Sequence, residues 1–514
     1  MAPAPLAAHA RRLRRIPLAR LAGDEDRNRA LRVRACGLEL DLRRECLDRR
    51  ALVALLSLAR ERGLSRGVEA LFAGEALNVS EGLPALHPAL RGEGPPEAAR
   101  AAAEELRRME ALVEALRERP RETLGLEEVG HLVHVGIGGS LNGVRLIHEA
   151  LAPARDAPLR LHFLASPDGH ALARVLAALD PARTAVVIAS KSFATEETLA
   201  LARALLAALG ARRGASEKAT LAAAIAVTSH PERAVAFGIA PERILRLPPA
   251  VGGRYSACSA TSFAAVATIG IAPFRELLAG AAAMDRHFRE APPEGNLPLL
   301  AALADFWQRV ALRAPAFCLL PYGERLSPVL PWYRQLLMES LGKGVDREGR
   351  ALAGPAGPPL LGDGGSEAEH SLLQWLAQAP ERVPVDFVAA LPAAGEGPAE
   401  LERLRLDHLL AQAAALAAPP AELAASPCAH RRLTGNRPSR TILLERLAPA
   451  PLGALIALLE HRVFALGWLL GVNPFDQWGV EAGKRLARAI ALSRCGGPVP
   501  ADPLLAERLR EPCG

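Results

Sequence analysis

The sequence predicts an α/β fold built on two mainly parallel sheets with helical additions. Three observations carry that reading. Short apolar runs rich in β-type residues alternate with helical stretches, the signature of strand–helix–strand units. The alternation occurs in two separate sets, and segments that read as helix flank both. At 514 residues the chain is long enough for more than one core.

Taken in order, residues 1–95 read as mostly helical, broken by LFAGEALNVSEGLPALHPALRGEGPP, which ends in a Pro/Gly cluster. A long helix follows at about 96–118. HLVHVGIGGS then opens the first set as an apolar strand that ends in glycines. LRLHFLAS, TAVVIASKSF, TLAAAIAVTS and ILRLPPAVGGRYS repeat the theme. GAAAMDRHFREAPPEGNLPLL reads as a connection. In the second set APAFCLLPYGERL is strand then loop, PWYRQLLMESLGKG a helix ending at glycine, and VPVDFVAALP a buried strand. ALPAAGEGPAE reads as a surface loop. Beyond residue 400 the chain is helical again, interrupted by SPCAHRRLTGNRPSRTILLERL. No internal repeat is visible.

Composition narrows the function. The chain is 50% hydrophobic, 23% charged and only 4% aromatic, so its cores rest on Leu, Ala and Val. A net charge of +6 is small for this length, and no Lys/Arg run is interleaved with aromatics. That disfavours a nucleic-acid groove and leaves a weak positive field suited to anionic metabolites. Seven scattered cysteines without CxxC argue against a disulfide framework or a zinc site and point to a reducing, cytoplasmic setting. No unbroken run of about 18 apolar residues is present, so no membrane span is expected. The Arg-rich start, MAPAPLAAHARRLRRIPLARLAG, lacks the serines of a transit peptide and reads as a basic, partly helical terminus.

Only four lysines stand among 62 Lys+Arg: Lys191, Lys218, Lys343 and Lys484. Lysine is a compact point charge that can give up its proton, whereas arginine is a planar fork that stays charged. Three of the four lie in polar, glycine-bearing segments, SKSFATEET, MESLGKG and WGVEAGK. Lys218, in GASEKAT, reads as an ordinary surface residue.

Several segments carry chemistry. GIGGS at 136–140, with Gly139 and Ser140, sits between strand and helix, where backbone N–H groups and the helix start favour an anion. It is neither GxGxxG nor a P-loop, since Leu141 follows and no GK[ST] is present. A plain strand–helix turn explains it equally well. SKSFATEET places Ser190, Lys191, Ser192 and Thr195 at a helix start. Hydroxyls and one ammonium suit a phosphate dianion. An N-cap would account for one hydroxyl but not for the lysine. Arg254 in GGRYS follows two glycines that let it face a cleft, though a surface arginine is the competing reading. Gln335 and Glu339 in QLLMESLGKG are spaced i, i+4 and share a helix face. A carboxylate near apolar walls holds its proton more tightly, which suits a general base; a solvated surface glutamate is the alternative. His370 in SEAEHSLLQW competes with His461 in LLEHRVF for a functional role. PFDQWGVEAGK supplies Gln477, Glu481 and Lys484 beside Trp478.

Together these segments resemble the phosphoglucose isomerase family. GIGGS, SKSFATEET, GGRYS, MESLGK, EHS and FDQWGVEAGK occur in the family's order and at similar spacing. NVSEG–LPALHPALR, LTGNRPS and LGALIALLEHRVFALG look like family segments too. The resemblance spans roughly residues 70–490. It implies two sugar-isomerase (SIS) domains, each an α/β/α sandwich with a mainly parallel sheet. The smaller would cover 97–285, and the larger 1–96 plus 286–514 with helical N- and C-terminal additions. It implies interconversion of D-glucose 6-phosphate and D-fructose 6-phosphate through a cis-enediol(ate), in glycolysis and gluconeogenesis, by a cytoplasmic homodimer without cofactor or metal.

Carried over residue by residue, the resemblance gives Ser140, Ser190, Lys191, Ser192 and Thr195 the substrate phosphate, with Gly139 beside them. Glu339 becomes the base between C1 and C2, and Arg254 the stabiliser of the enediolate. His370, supplied by the neighbouring subunit, and Lys484 assist ring opening. Gln335 and Gln477 line the sugar site, and Glu197 supports the His370 or phosphate region. The chemistry agrees, because aldose–ketose isomerisation needs one base and an oxyanion stabiliser but no hydride carrier. The chain departs from the family at Leu341 (commonly Asn), Glu369 (commonly Gln), Leu141-Asn142-Gly143 (commonly Asp-Leu-Gly), Cys258 (commonly Trp) and Ala194 (commonly Thr). None removes a proposed catalytic group, so these bear on rate and substrate preference. Three rivals remain: a non-catalytic sugar-phosphate sensor, an isomerase that also accepts mannose 6-phosphate, and a nicotinamide dehydrogenase, which the missing fingerprint disfavours.

Overall fold

Strands buried on both faces read as mostly apolar runs, and five such strands stand among the described residues. The structure, a computed structural model, describes residues 3–152, 159–393, 397–494, 497–498 and 501–510. It divides into two compact units, Met1–Pro474 and Phe475–Gly514.

The larger unit holds eleven strands among its described residues. In chain order they are β1 (Arg32–Ala35), β2 (Leu38–Asp41), β3 (His131–Val135), β4 (Arg160–Leu164), β5 (Thr184–Ala189), β6 (Ala224–Thr228), β7 (Ile244–Arg246), β8 (Phe317–Tyr322), β9 (Leu360–Gly362), β10 (Val385–Ala390) and β11 (Ser439–Leu444). One sheet has the order β4-β3-β5-β6-β7 and is parallel throughout. The other has the order β1-β2-β11-β10-β8-β9. There β11, β10, β8 and β9 run parallel, while β1 and β2 join antiparallel at the edge. Val133, Val135, Val186, Ile188, Ala224 and Ala226 build the first core, and Leu320, Phe387, Ala389, Leu409 and Ala413 belong to the second.

Both sheets reverse direction in the same way. β3 is followed by β4 on one side and β5 on the other, and β8 by β9 and then β10. Such a reversal opens a crevice beyond the carboxyl ends of the two strands flanking it, where ligands of open α/β sheets bind. The first crevice lies beyond β3 and β5, whose next residues are GIGGS and SKSFATEET. The repetition is topological, and the two halves share no periodic sequence signal.

The fold corrects some expectations. The region 1–95 is not wholly helical: β1 and β2 form a hairpin that extends the second sheet. RVRA and LELD are too short for a periodic strand signal. The first half of the predicted connection at 280–300 is the end of the helix Ile271–Glu290, and its last residues open the helix Leu297–Phe306. The Ala-rich, charge-studded sequence of that first half favours helix, and only APPEGN after it breaks. The predicted helix at 96–118 is present as Pro96–Glu118. The predicted loop ALPAAGEGPAE lies partly outside the described residues.

Among the described residues one helix, Pro449–Leu470, is long and apolar enough to cross a bilayer by composition, and 94% of its most apolar window is buried inside the protein. Its central Glu460-His461-Arg462 breaks the apolar run that the sequence reading sought. These three are buried in a network of ion pairs and hydrogen bonds. Arg91 bridges Glu460 at 2.7 Å and Asp285 at 2.6 Å, His461 meets Asp285 at 2.5 Å, and Arg462 meets Asp305 and Asp386 at 2.7 Å. His461 also stacks on Phe288, ring centroids 4.4 Å apart. It is therefore a structural histidine, which removes it as a competitor to His370.

Candidate active site

Gly138–Ser140 forms a tight turn directly after β3. Gly139 is required there by contact, because a Cβ would sit 2.3 Å from the Gly253 carbonyl carbon. The GIGGS turn thus packs backbone to backbone on the GGRYS turn. His134 holds it from below, with its ring Nε2 2.7 Å from the Ser140 carbonyl. Burial pushes His134 down to about 4, so the ring is neutral and donates through Nε2–H.

The segment after β5 loops back before the helix Glu196–Arg213 begins. Phe193 takes a left-handed φ of 44° and is buried, which turns the loop inward. Ser190 Oγ lies 3.1 Å from Thr195 Oγ1. Thr195 occupies the N-cap position, but its side chain makes no cap bond. The helix cap therefore does not account for this hydroxyl. Lys191 Nζ donates to the Pro249 carbonyl at 2.7 Å, tying the loop to the segment before GGRYS. Partial burial pushes the lysine's pKa down, Glu81 opposes this, and the positive charge of Arg254 adds to it. Two cations in one region repel, and a bound anion would relieve that repulsion.

Arg254 and Glu339 form the centre. Glu339 lies near the end of the helix Val329–Leu341. Arg254 Nη1 is 3.4 Å from Glu339 Oε2, Nε donates to Ser340 Oγ at 2.8 Å, and Nη2 donates to the Pro474 carbonyl at 2.8 Å. Tyr255 Oη approaches Ser340 Oγ at 3.1 Å from the other side. Gln335, one turn before Glu339, donates to its Oε2 at 3.3 Å and accepts from Asn142 Nδ2 at 2.9 Å. The arginine side chain is 1% exposed and the glutamate 27%, so the carboxylate is the open member. A buried fork fixed by three partners beside an accessible carboxylate suits charge stabilisation next to proton abstraction. The surroundings are more polar than the apolar walls that the sequence predicts around Glu339.

Gly139, Ser140, Arg254, Gln335 and Glu339 meet directly or through one neighbour, and Lys191, with Ser190, Ser192 and Thr195 on its loop, is tied to the segment before Arg254 through the Pro249 carbonyl. Two candidates of the larger unit, Glu197 and His370, stand apart from this cluster. Glu197 is exposed on the first turn of its helix, and His370 is exposed on the turn after Gly365–Ala368. No hydrogen bond among the described residues joins either to the cluster. Gln477 and Lys484 belong to the C-terminal unit, where Lys484 Nζ pairs with Glu481 at 2.7 Å in the helix Glu481–Arg494. Sequence reasoning missed His134, Asn142, Tyr255 and Ser340. The last two adjoin motif residues, but chain adjacency does not say which way a side chain turns. Among the described residues no group of three or more His, Cys, Asp or Glu is placed to hold a metal ion.

Two mainly parallel sheets thus reverse alike, with glycine- and hydroxyl-rich turns at the first reversal and a carboxylate facing a fixed guanidinium, the layered α/β class in which ligands bind at such reversals. Comparison with known proteins gives the family. The sequence matches the family described as phosphoglucose isomerase over residues 41–497. It is 41% identical to a glucose-6-phosphate isomerase of Stenotrophomonas maltophilia (strain K279a), covering 98% of both chains, and 41% identical to that of Rhizorhabdus wittichii, covering 91% of both. The crystal structure of a glucose-6-phosphate isomerase from Chlamydia trachomatis superposes with a TM-score of 0.86 at 29% identity, covering 99% of this chain and 98% of that one. The chain belongs to the phosphoglucose isomerase family.

Proposed function

We propose a division of labour for the reaction of this family, the interconversion of D-glucose 6-phosphate and D-fructose 6-phosphate. The observation that carries it is the Glu339–Arg254 pair, with the open carboxylate and the buried guanidinium 3.4 Å apart. Glu339 takes the proton from C2 of the open-chain aldose, or from C1 of the ketose, and returns it to the other carbon. Arg254 faces the oxygen that becomes negative in the enediolate, its guanidinium held in place by Ser340 and Pro474. Ser140, Ser190, Lys191, Ser192 and Thr195 receive the phosphate with the Gly139 backbone, and Gln335 lines the sugar while orienting Glu339. His370 and Lys484 serve ring opening, Gln477 lines the sugar, and Glu197 supports the His370 or phosphate region. Their support is the match of their motifs to the family.

The substrate is a hexose 6-phosphate. We further propose a cytoplasmic homodimer in which His370 acts on the partner's site. The exposure of His370 on a single chain favours this arrangement. Proposed, too, is the division into a smaller domain at 97–285 and a larger one from 1–96 plus 286–514, each sheet falling within one of them.

Subunit complementation tests this arrangement. Glu339→Gln and His370→Ala should each be nearly inactive alone. Unfolded and refolded together, they should recover activity, because each mixed dimer assembles one intact site from two defective chains. Recovery no better than the separate variants would place His370 in its own chain's site or outside the chemistry.

A further inference from the structure

The crevice at the second sheet's reversal lies beyond the ends of β8 and β10, and it contains a side-chain cluster that the assignments above do not use. Glu369 directly precedes His370. Its carboxylate lies 3.2 Å from His408 Nδ1 through both oxygens, and the Tyr322 hydroxyl donates to Oε1 at 3.3 Å. Because a carboxylate only accepts, His408 Nδ1 carries the proton in this contact. Burial and the neighbouring carboxylate push the Tyr322 phenol's pKa up, which keeps it a donor.

Both partners are themselves fixed. Tyr322 ends β8, is buried, and sits 5.9 Å from the Phe387 ring of β10. The short helix Gly365–Ala368 lies flat on that tyrosine because position 365 has no side chain: a Cβ there would be 2.5 Å from the ring. His408 is on the helix Ala399–Ala417, and three residues earlier Arg405 occupies the same face. Arg405 spans the crevice floor, donating to the Tyr322 carbonyl at 2.9 Å and the Ala390 carbonyl at 3.0 Å. A helix anchored to the ends of both strands thus holds the residue next to His370.

We propose that Glu369, gripped by His408 and Tyr322, is a positioning residue that sets the backbone of the His370 turn. The carboxylate is turned to His408 and Tyr322, and it works through the chain rather than by direct contact with substrate. The assignment rests on the reading of His370 given above. It also gives the Glu369 departure a structural meaning: where relatives commonly carry a neutral amide, this chain carries an anion matched to a histidine.

The test measures kcat, KM and thermal midpoint with fructose 6-phosphate for His408→Ala, His408→Asn and the double variant Glu369→Gln/His408→Ala. Loosening a catalytic group by a fraction of an ångström to 1 Å costs about ten- to a hundredfold in rate. His408→Ala should therefore lower kcat about tenfold, with KM and thermal midpoint nearly unchanged because His408 is half exposed. His408→Asn, whose amide stands where Nδ1 does, should restore most of the loss. The double variant should lose no more than His408→Ala alone, since the two residues act as one unit. In a His370→Ala background, His408→Ala should cost nothing further. Unchanged kcat in His408→Ala, no rescue by asparagine, or losses that add in either pairing would overturn the proposal. Full activity in His370→Ala would instead overturn the reading of His370 itself, so the two failures are distinguishable.

Discussion

Replacing Glu339 by glutamine keeps the shape of the side chain and removes its ability to accept a proton. A positioned general base contributes roughly 10²–10⁴ in rate, about 3–5 kcal/mol of barrier. Binding should survive, because the phosphate groups are carried by other loops. Stability should barely change. At 3.4 Å the attraction between Arg254 and Glu339 is about 5 kcal/mol for an effective dielectric near 20. With Glu339 27% exposed, desolvation and solvent screening reduce the net contribution to about 1 kcal/mol. That corresponds to a fall of no more than about 2 °C in Tm. The assay has three parts: coupled turnover of fructose 6-phosphate, exchange of the C2 proton with solvent, and calorimetric titration with sorbitol 6-phosphate, which has no carbonyl and cannot react. The expected result is turnover and exchange lost together, with sorbitol 6-phosphate still bound within about threefold of the parent affinity. A kcat within about tenfold of the parent would refute Glu339 as the base. Loss of sorbitol 6-phosphate binding would mean that its carboxylate organises the site instead.

Two further outcomes are expected. Lys191→Ala should raise KM by roughly 10- to 100-fold with a smaller effect on kcat, since charge-assisted hydrogen bonds are worth about 1.5–3 kcal/mol; steady-state kinetics at fixed ionic strength checks this. Stability should fall in acid: burial holds His134 and His148 down to about 4 in the folded chain, while the unfolded chain titrates near 6.5. Their contribution is complete above the unfolded value and is lost as the pH falls from 6.5 toward 4, about 3 kcal/mol for each group. Denaturant titrations of parent and His134→Gln across that range should show a shallower pH dependence in the variant.

Much of this protein is legible in its residues. The central strands of both sheets are fully buried, so their mostly apolar runs stand out. The glycine turn and the hydroxyl-rich loop follow those strands at once, which places them at the crevice as soon as strand order is known. Gln335 and Glu339 share a face by helix geometry alone. What escaped has physical reasons. β1 and β2 are four-residue strands, fixed by the pairing of β2 with β11 and of β1 with β2 rather than by their own pattern. The second half of the helix Ile271–Glu290 reads as a connection because its charges are scattered and APPEGN follows, yet Asp285 is buried against Arg91 and His461. Ser340 and Tyr255 hold Arg254 through contacts more than eighty residues apart in sequence. Glu369 read as an open question, an anion beside a histidine. Only the fold shows that it turns toward His408 and Tyr322.

The account stands most directly on one measurement with the parent protein. Fructose 6-phosphate is incubated in D2O with a chelator and no added cofactor, and the product is followed by NMR. The account predicts glucose 6-phosphate, with deuterium at C2 in part of the product, because the proton on Glu339 exchanges with solvent while the enediolate waits. No conversion, or conversion only on addition of a nicotinamide or a metal ion, would contradict it.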